Sequence, residues 1–244
     1  MLMTGERYER QVMIGGFGEE GQRKLKSASV FIAGAGGLGS PAAIYLAAAG
    51  VGRIRIVDRD KVELSNLNRQ VLHGDSDLGR MKAVSAKERL NSLNYEVVIE
   101  ALAEEIKEEN VSELTAGCDL IVDALDNFPT RYLLNRIALQ KSLPFFHGGV
   151  YGFEGRAMTM IPGKSACLRC LYKKGAEAIK FPVIGVAPAV IGSIQAAEVI
   201  KYLVGIGRLL TDRLLVYDGL SSTFTEMKLK KHHDCEDCGQ IRAI

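Results

Sequence analysis

Apolar residues in this chain gather in short unbroken runs that alternate with longer segments of helical spacing. Residues 28–33 form one such run, closing on glycines, and predict a buried strand. The alanine-rich stretch 38–49 has helical length, and 53–58 reads as a second strand. Strand, glycine turn, helix, strand is a βαβ unit, and its right-handed crossover sets the two strands parallel. The alternation continues with a helix over 81–93, strands over 96–100 and 119–123, a helix over 130–141 and a strand over 144–147. Upstream, residues 6–26 are charged with intermittent apolar positions, which predicts a helix broken near Gly15 and Gly16. After Gly148 the character changes. Residues 157–161 read as a strand, 192–204 as a helix, and 213–217 and 223–229 as closing strands. The pattern predicts an α/β fold: a mostly parallel sheet with helices on both faces and a C-terminal antiparallel extension. No internal repeat or low-complexity linker interrupts it, so residues 1–244 are expected to form one domain.

Composition narrows the function classes more than it selects one. With 31 basic against 29 acidic residues and a net charge of +2, no partner is named, and direct nucleic-acid binding would need a basic stripe that is not there. Two uncharged stretches approach the length of a membrane span. Residues 27–52 carry six glycines and Pro41, however, and 181–197 carry Pro182, Pro188 and Gln195. Both read as buried segments of an α/β protein. The N-terminus gathers charge at once and has no apolar leader region, so a cytoplasmic protein without a membrane span is expected.

Gly34-Ala35-Gly36-Gly37-Leu38-Gly39 follows the first strand and opens a helix, fitting G-x-G-x-x-G on positions 34, 36 and 39. The glycines let backbone approach phosphates, and the helix N-terminus offers free N–H groups and the positive end of its dipole. Asp58 closes the next strand at the distance from which a carboxylate hydrogen-bonds ribose hydroxyls. A Rossmann-like nucleotide-binding core over about residues 27–150 is the expectation. The same fingerprint would serve an NAD-linked oxidoreductase.

The segments beyond Asp58 weigh against that alternative. Asn66, Arg69 and Gln70 follow at a strand's C-terminal end, where α/β sheets bind ligands, and Lys82 opens the next helix. Asp126 and Asn127 end the fourth strand on the same edge, with Arg131 one turn into the following helix. Nucleotidyl transfer needs this set. As a carboxylate attacks the α-phosphate, charge grows on its non-bridging oxygens, which Arg69 and Lys82 could neutralise while Asp126 held magnesium. The plainer reading puts Arg69 and Lys82 in surface ion pairs.

Together with Arg7-Tyr-Glu-Arg-Gln11 and the paired C-x-x-C motifs, these residues resemble the ThiF/MoeB/HesA group of ubiquitin-activating-enzyme-like adenylyltransferases over nearly the whole chain. The resemblance implies ATP and Mg2+ at the site, with Asp58 on the ribose and Asn66, Arg69, Gln70 and Lys82 on the phosphates. It implies Asp126 on the magnesium, and Arg10 reaching into the ATP site of a partner subunit, since the group works as homodimers. The substrate it implies is a ubiquitin-like sulfur-carrier protein ending in Gly-Gly, of the ThiS or MoaD type, bound by a part spanning about 151–244. The segment around 148–156 and the loop after Cys170 are the expected tail groove. Adenylylation of another carboxylate, on a peptide or a tRNA nucleoside, stays open.

Five cysteines do not make a secreted disulfide framework. Cys167-x-x-Cys170 and Cys235-x-x-Cys238 each offer two thiolates from one turn, and together they predict a closed, structural zinc site stapling the tail. Cys118 reads as a packing residue. The loop 175–187, where several members of the group carry a reactive cysteine, contains none, so a separate sulfur donor is expected. His73, His147, His232 and His233 read as structural or solvated.

Overall fold

The computed structural model describes residues 5–175 and 181–240. Five parallel strands form one half of an eight-stranded sheet: β1 (Ser29–Ala33), β2 (Arg53–Val57), β3 (Val98–Leu102), β4 (Leu120–Asp123) and β5 (Phe145–Tyr151). Three antiparallel strands continue it: β6 (Glu154–Met160), β7 (Arg213–Asp218) and β8 (Thr223–Lys228). The spatial order is β3-β2-β1-β4-β5-β6-β7-β8. Chain order therefore reverses between β1 and β4, and the crevice above such a switch point is where open α/β sheets receive ligands.

Eight α-helices accompany the sheet among the described residues: α1 (Gly5–Val12), α2 (Gly18–Ser27), α3 (Gly39–Ala48), α4 (Lys82–Leu93), α5 (Val111–Leu114), α6 (Phe128–Gln140), α7 (Leu168–Leu171) and α8 (Val186–Val204). The break expected near Gly15 and Gly16 separates α1 from α2. One buried cluster joins α3 and α8 to Val30, Ile32, Ile54 and Val122; the other joins α6 to Phe31, Ile121 and Phe145 on the opposite face. β1 is buried along its full length, as a central parallel strand covered on both faces must be.

Four elements differ most from the sequence expectation in their bounds. β3 lies two residues later than 96–100, because Asn94 fills the turn before it, donating to Tyr8 Oη and Ala47 O. β5 and β6 run on through Gly148, Gly149 and Gly155 as one hairpin. α8 begins six residues earlier than 192, with Pro188 in its first turn, where proline removes no needed donor. α8 is also the one described helix long and apolar enough to cross a membrane. It lies instead across the sheet. Gln195 and Glu198 are buried on it, and Glu198 accepts from Thr159 Oγ1 (2.6 Å) and Leu210 N (2.7 Å).

Candidate active site

The glycine loop is built by close approach. Gly34 sits at φ +100°, and a methyl group at Gly39 would lie 1.9 Å from Gly34 O, so the turn into α3 closes only without side chains. No side chain caps the start of α3; Ser40 N bonds Gly36 O at 2.9 Å, and Pro41 carries no N–H. Asp58 lies one residue past β2. Its Oδ2 accepts from Ala35 N at 2.8 Å, and its Oδ1 from Asp60 N at 2.8 Å. Burial raises the pKa of this carboxyl, against these backbone donors and the nearby Lys82 charge.

The segment after β2 folds back over the loop. A one-turn helix at Leu64–Asn66 buries Asn66, whose carbonyl accepts from Arg69 N and Gln70 N. Methyl groups on Gly36 and Gly37 would fall 3.6 Å from Gln70 Nε2 and 3.6 Å from Arg69 Cγ, so both side chains border the glycine loop. The Gln70 Oε1 is buried with no partner among the described residues. Pro188 and Gly185, at the start of α8, close the other side: Gly185 approaches the Asn68 carbonyl so tightly that a methyl there would meet it at 2.3 Å.

Lys82 is 6% exposed, and its Nζ reaches Asp60 Oδ2 at 3.2 Å. The ion pair anticipated for Lys82 is present, but it is a buried cation held by an exposed partner, beside Asp58 rather than out on the surface. Arg69 donates to Ser65 O (2.8 Å) and Asn68 Oδ1 (2.9 Å) within its own segment. Asp126 is exposed on the loop leaving β4, and Asn127 caps α6, its Oδ1 accepting from Thr130 N at 3.0 Å. Ala124, in that same loop, abuts Gly34.

Arg10 is not brought to this set within one protomer. Tyr8 of α1 packs on Gly50, just past the C-terminal end of α3, whereas the glycine loop is at the N-terminal end, and ten residues of helix separate the two by about 15 Å.

The four cysteine sulfurs lie within 4.8 Å of one another, with Cys167–Cys235 at 3.7 Å, Cys170–Cys238 at 3.5 Å and Cys167–Cys170 at 4.0 Å. A Zn–S bond of about 2.3 Å gives a tetrahedron with edges of about 3.8 Å, so the sulfurs fit that ion. With no metal beside them, burial disfavours the thiolates of Cys167, pushed up to about 12, and of Cys238, while at Cys235 burial is outweighed by hydrogen bonds from Cys238 and Asp237, which lower it. Asn135 on α6 anchors the knuckle, accepting from Leu168 N (3.0 Å) and donating to Asp237 Oδ2 (2.6 Å). Cys118 lies at the far edge of β4, buried, with its thiol pushed up by burial.

Several supporting residues carry no motif. His73 bonds Ala35 O through Nε2 (2.9 Å) and Ser85 Oγ through Nδ1 (2.9 Å), tying the glycine loop to α4. Beneath the Asp126 loop, Asp123 and His147 are both fully buried, and Asp123 Oδ2 accepts from His147 Nδ1 at 2.6 Å. The only signal in the sequence is that both are polar residues inside apolar runs, which marks a costly burial without saying what it serves.

The sequence profile of the ThiF family matches residues 8–237. The SAMP-activating enzyme E1 of Haloferax volcanii is 44% identical over 241 residues, covering 96% of this chain and 89% of that protein. The sulfur carrier protein adenylyltransferase of Thermus thermophilus is 44% identical over 245 residues, covering 96% and 90%. A solved structure of Escherichia coli MccB with ATP shares the fold, with a TM-score of 0.87 over 97% of this chain and 75% of that one, at 24% identity.

Proposed function

The chain belongs to the ThiF family, and from that premise we propose that it adenylylates the C-terminal Gly-Gly carboxylate of a ubiquitin-like sulfur-carrier protein, releasing pyrophosphate. The observation that carries this reading is the convergence of Asp58, Gln70, Arg69 and Lys82 on one uncapped glycine loop. Hydride transfer has no use for two cations and a further carboxylate there, and the NAD-linked alternative is not carried forward.

In this mechanism the α3 N-terminus and the glycine loop bind the phosphates, and the Asp58 carboxylate takes the ribose hydroxyls with its remaining lone pairs. The tail carboxylate attacks the α-phosphorus, and the bond to the leaving pyrophosphate breaks. Arg69 and Lys82 neutralise the charge that grows on the phosphate oxygens, with Lys82 turning from Asp60 to do so. Asn66 and Gln70 orient the phosphates, and Asn127 fixes the start of α6 behind Asp126. Asp126 would hold a magnesium ion, which supplies charge neutralisation on the pyrophosphate side.

Residues 1–244 act as one unit, with the nucleotide core over about 27–150 and the carrier- and zinc-bearing part over about 151–244. The four cysteines hold structural zinc. The tail runs along the 148–156 hairpin. Ala189, Val190 and Ser193 of α8 and Phe224 of β8 form an open, largely apolar surface that can receive part of the carrier, since α8 begins beside the glycine loop. The loop after Cys170 belongs to the same proposal, although 176–180 lies outside the described residues. With no cysteine in 175–187, sulfur comes from a separate donor. Arg10 completes the site of a second protomer in a homodimer, and the paired thiols suit the reducing cytoplasm.

ATP–pyrophosphate exchange tests the reading directly. Exchange should require a β-grasp protein ending in Gly-Gly. It should fall by about 100-fold or more in Lys82→Ala, the loss expected when a charge-stabilising donor is removed. Exchange without any carrier, or with the variant intact, would overturn it.

A further inference from the structure

Asp123 and His147 face each other in register at the last pair of the β4–β5 ladder, where two parallel strands begin to part. Three groups hold this parting point. His147 donates from Nδ1 to the Asp123 carboxylate. From the α8 face, Gln195 Nε2 donates to Asp123 O (2.8 Å) and Phe146 O (2.9 Å), one carbonyl on each strand. From the α6 face, the 7% exposed Arg131 sends one guanidinium nitrogen to both Gly148 O (2.8 Å) and Leu125 O. Leu125 N in turn donates to Asp123 Oδ1 (3.2 Å). Both backbone groups of the residue before Asp126 are therefore held by this buried cluster.

The arrangement is expensive as a stability device. Arg131 Nε stands 3.4 Å from Asp123 Oδ2, an ion pair not aligned as a hydrogen bond, and Arg131 Nε, His147 Nε2 and Gln195 Oε1 have no partner among the described residues. Apolar residues of similar volume would ordinarily be no worse in such a place. What apolar residues cannot do is grip the Leu125 and Gly148 carbonyls.

Resting on the reading of Asp126 as the magnesium carboxylate, we propose that His147, acting through Asp123 and Arg131, is a positioning residue that fixes the Asp126 loop for its metal. His147 supplies the second donor that keeps Asp123 in place as the counter-charge of Arg131, and Arg131 holds the loop. Neither His147 nor Arg131 touches the reacting atoms.

The test is the affinity of the site for Mn2+ in the complex with α,β-methylene-ATP, read by electron paramagnetic resonance so that no turnover is required. His147→Leu removes the donor at similar bulk. His147→Asn keeps an N–H attached at the same γ carbon. Mn2+ binding should weaken at least about tenfold in His147→Leu, the loss typical when the partner of a metal ligand is removed, and stay within about threefold of the parent in His147→Asn. Metal-free nucleotide affinity should be unchanged in both. Arg131→Lys keeps the charge but ends one atom short of the nitrogen that holds both carbonyls. It should lose Mn2+ as His147→Leu does, and it decides the matter if His147→Leu does not fold. Folded variants that bind Mn2+ like the parent overturn the positioning role, as does His147→Asn failing as badly as His147→Leu. A parent protein that binds no Mn2+–nucleotide overturns the proposed function itself, and this inference with it.

Discussion

At the scale of single residues, the site depends on side chains whose charge state is set by what surrounds them. Burial pushes the pKa of His147 and His73 below the ordinary histidine value, against the bonds to Asp123 and to the Ala35 carbonyl. Below about pH 6.5 the unfolded chain takes up protons that these folded imidazoles refuse, so stability falls as pH falls. Each group contributes a slope of up to about 1.4 kcal/mol per pH unit between the unfolded pKa and its own lower folded value. Asp58, raised by burial, works in the opposite sense. For Asp123, burial by itself would raise the pKa, but Arg131 and His147 outweigh it and hold the carboxyl low, so its contribution is lost only in stronger acid. The expected outcome is a melting temperature that drops between pH 7.5 and 5.5, and drops less steeply in His147→Asn, where the Asp58 contribution cancels in the comparison. Parallel slopes in parent and variant would show that His147 does not titrate in this way.

At the scale of elements, glycine separates packing from ligand space. Gly39 admits nothing: an added methyl lies 1.9 Å from a carbonyl, and Gly39→Ala should unfold the loop, costing on the order of 1–3 kcal/mol or more. Gly36 has room for a methyl at ordinary contact distance from Gln70, and in the proposed mechanism that room is taken by phosphate. Gly36→Ala is therefore expected to melt within about 2 °C of the parent, as a substitution free of packing strain should, and to bind ATP at least about tenfold more weakly. Calorimetry and titration on both variants check the contrast; equal ATP affinity in Gly36→Ala would place the phosphates elsewhere. The same property explains what the sequence did and did not disclose. β1, β2 and β4 were legible because apolar runs closed by turn residues have few other readings. From the sequence alone one strand ends at residue 147 and the next begins at 157, because the character of the chain changes after Gly148. Gly148 and Gly155 are instead places where α8 comes too close for a side chain, with Gln195 over Gly148 and Ile191 over Gly155. Arg69, Lys82 and Asp126 could be proposed because they follow strands or open a helix close to a glycine motif. The Asp123–Arg131–His147 cluster could not, since a histidine within Phe145-Phe146-His147 looks the same whether it serves packing or positioning.

At the scale of the molecule, one residue of the proposed machinery stands apart from the rest. Arg10 projects from α1 at the edge of the sheet opposite the glycine loop, and Met13 and Ile14 just beyond it are 77% and 54% exposed. An exposed apolar pair beside a cation with no site of its own is intelligible if a second protomer covers that face and receives the arginine. The consequence can be tested by complementation. Arg10→Ala and Lys82→Ala should each be inactive in pyrophosphate exchange, since every site in either homodimer lacks one residue. Mixed and allowed to exchange subunits, they form heterodimers in which one site has lost both residues and the other is complete. With equal amounts and random pairing, half the dimers are mixed, so about a quarter of the parental activity should return. Native mass spectrometry establishes that exchange has occurred. Heterodimers present without recovered activity would mean that Arg10 acts within its own chain, and the site would then have to be complete in a single protomer.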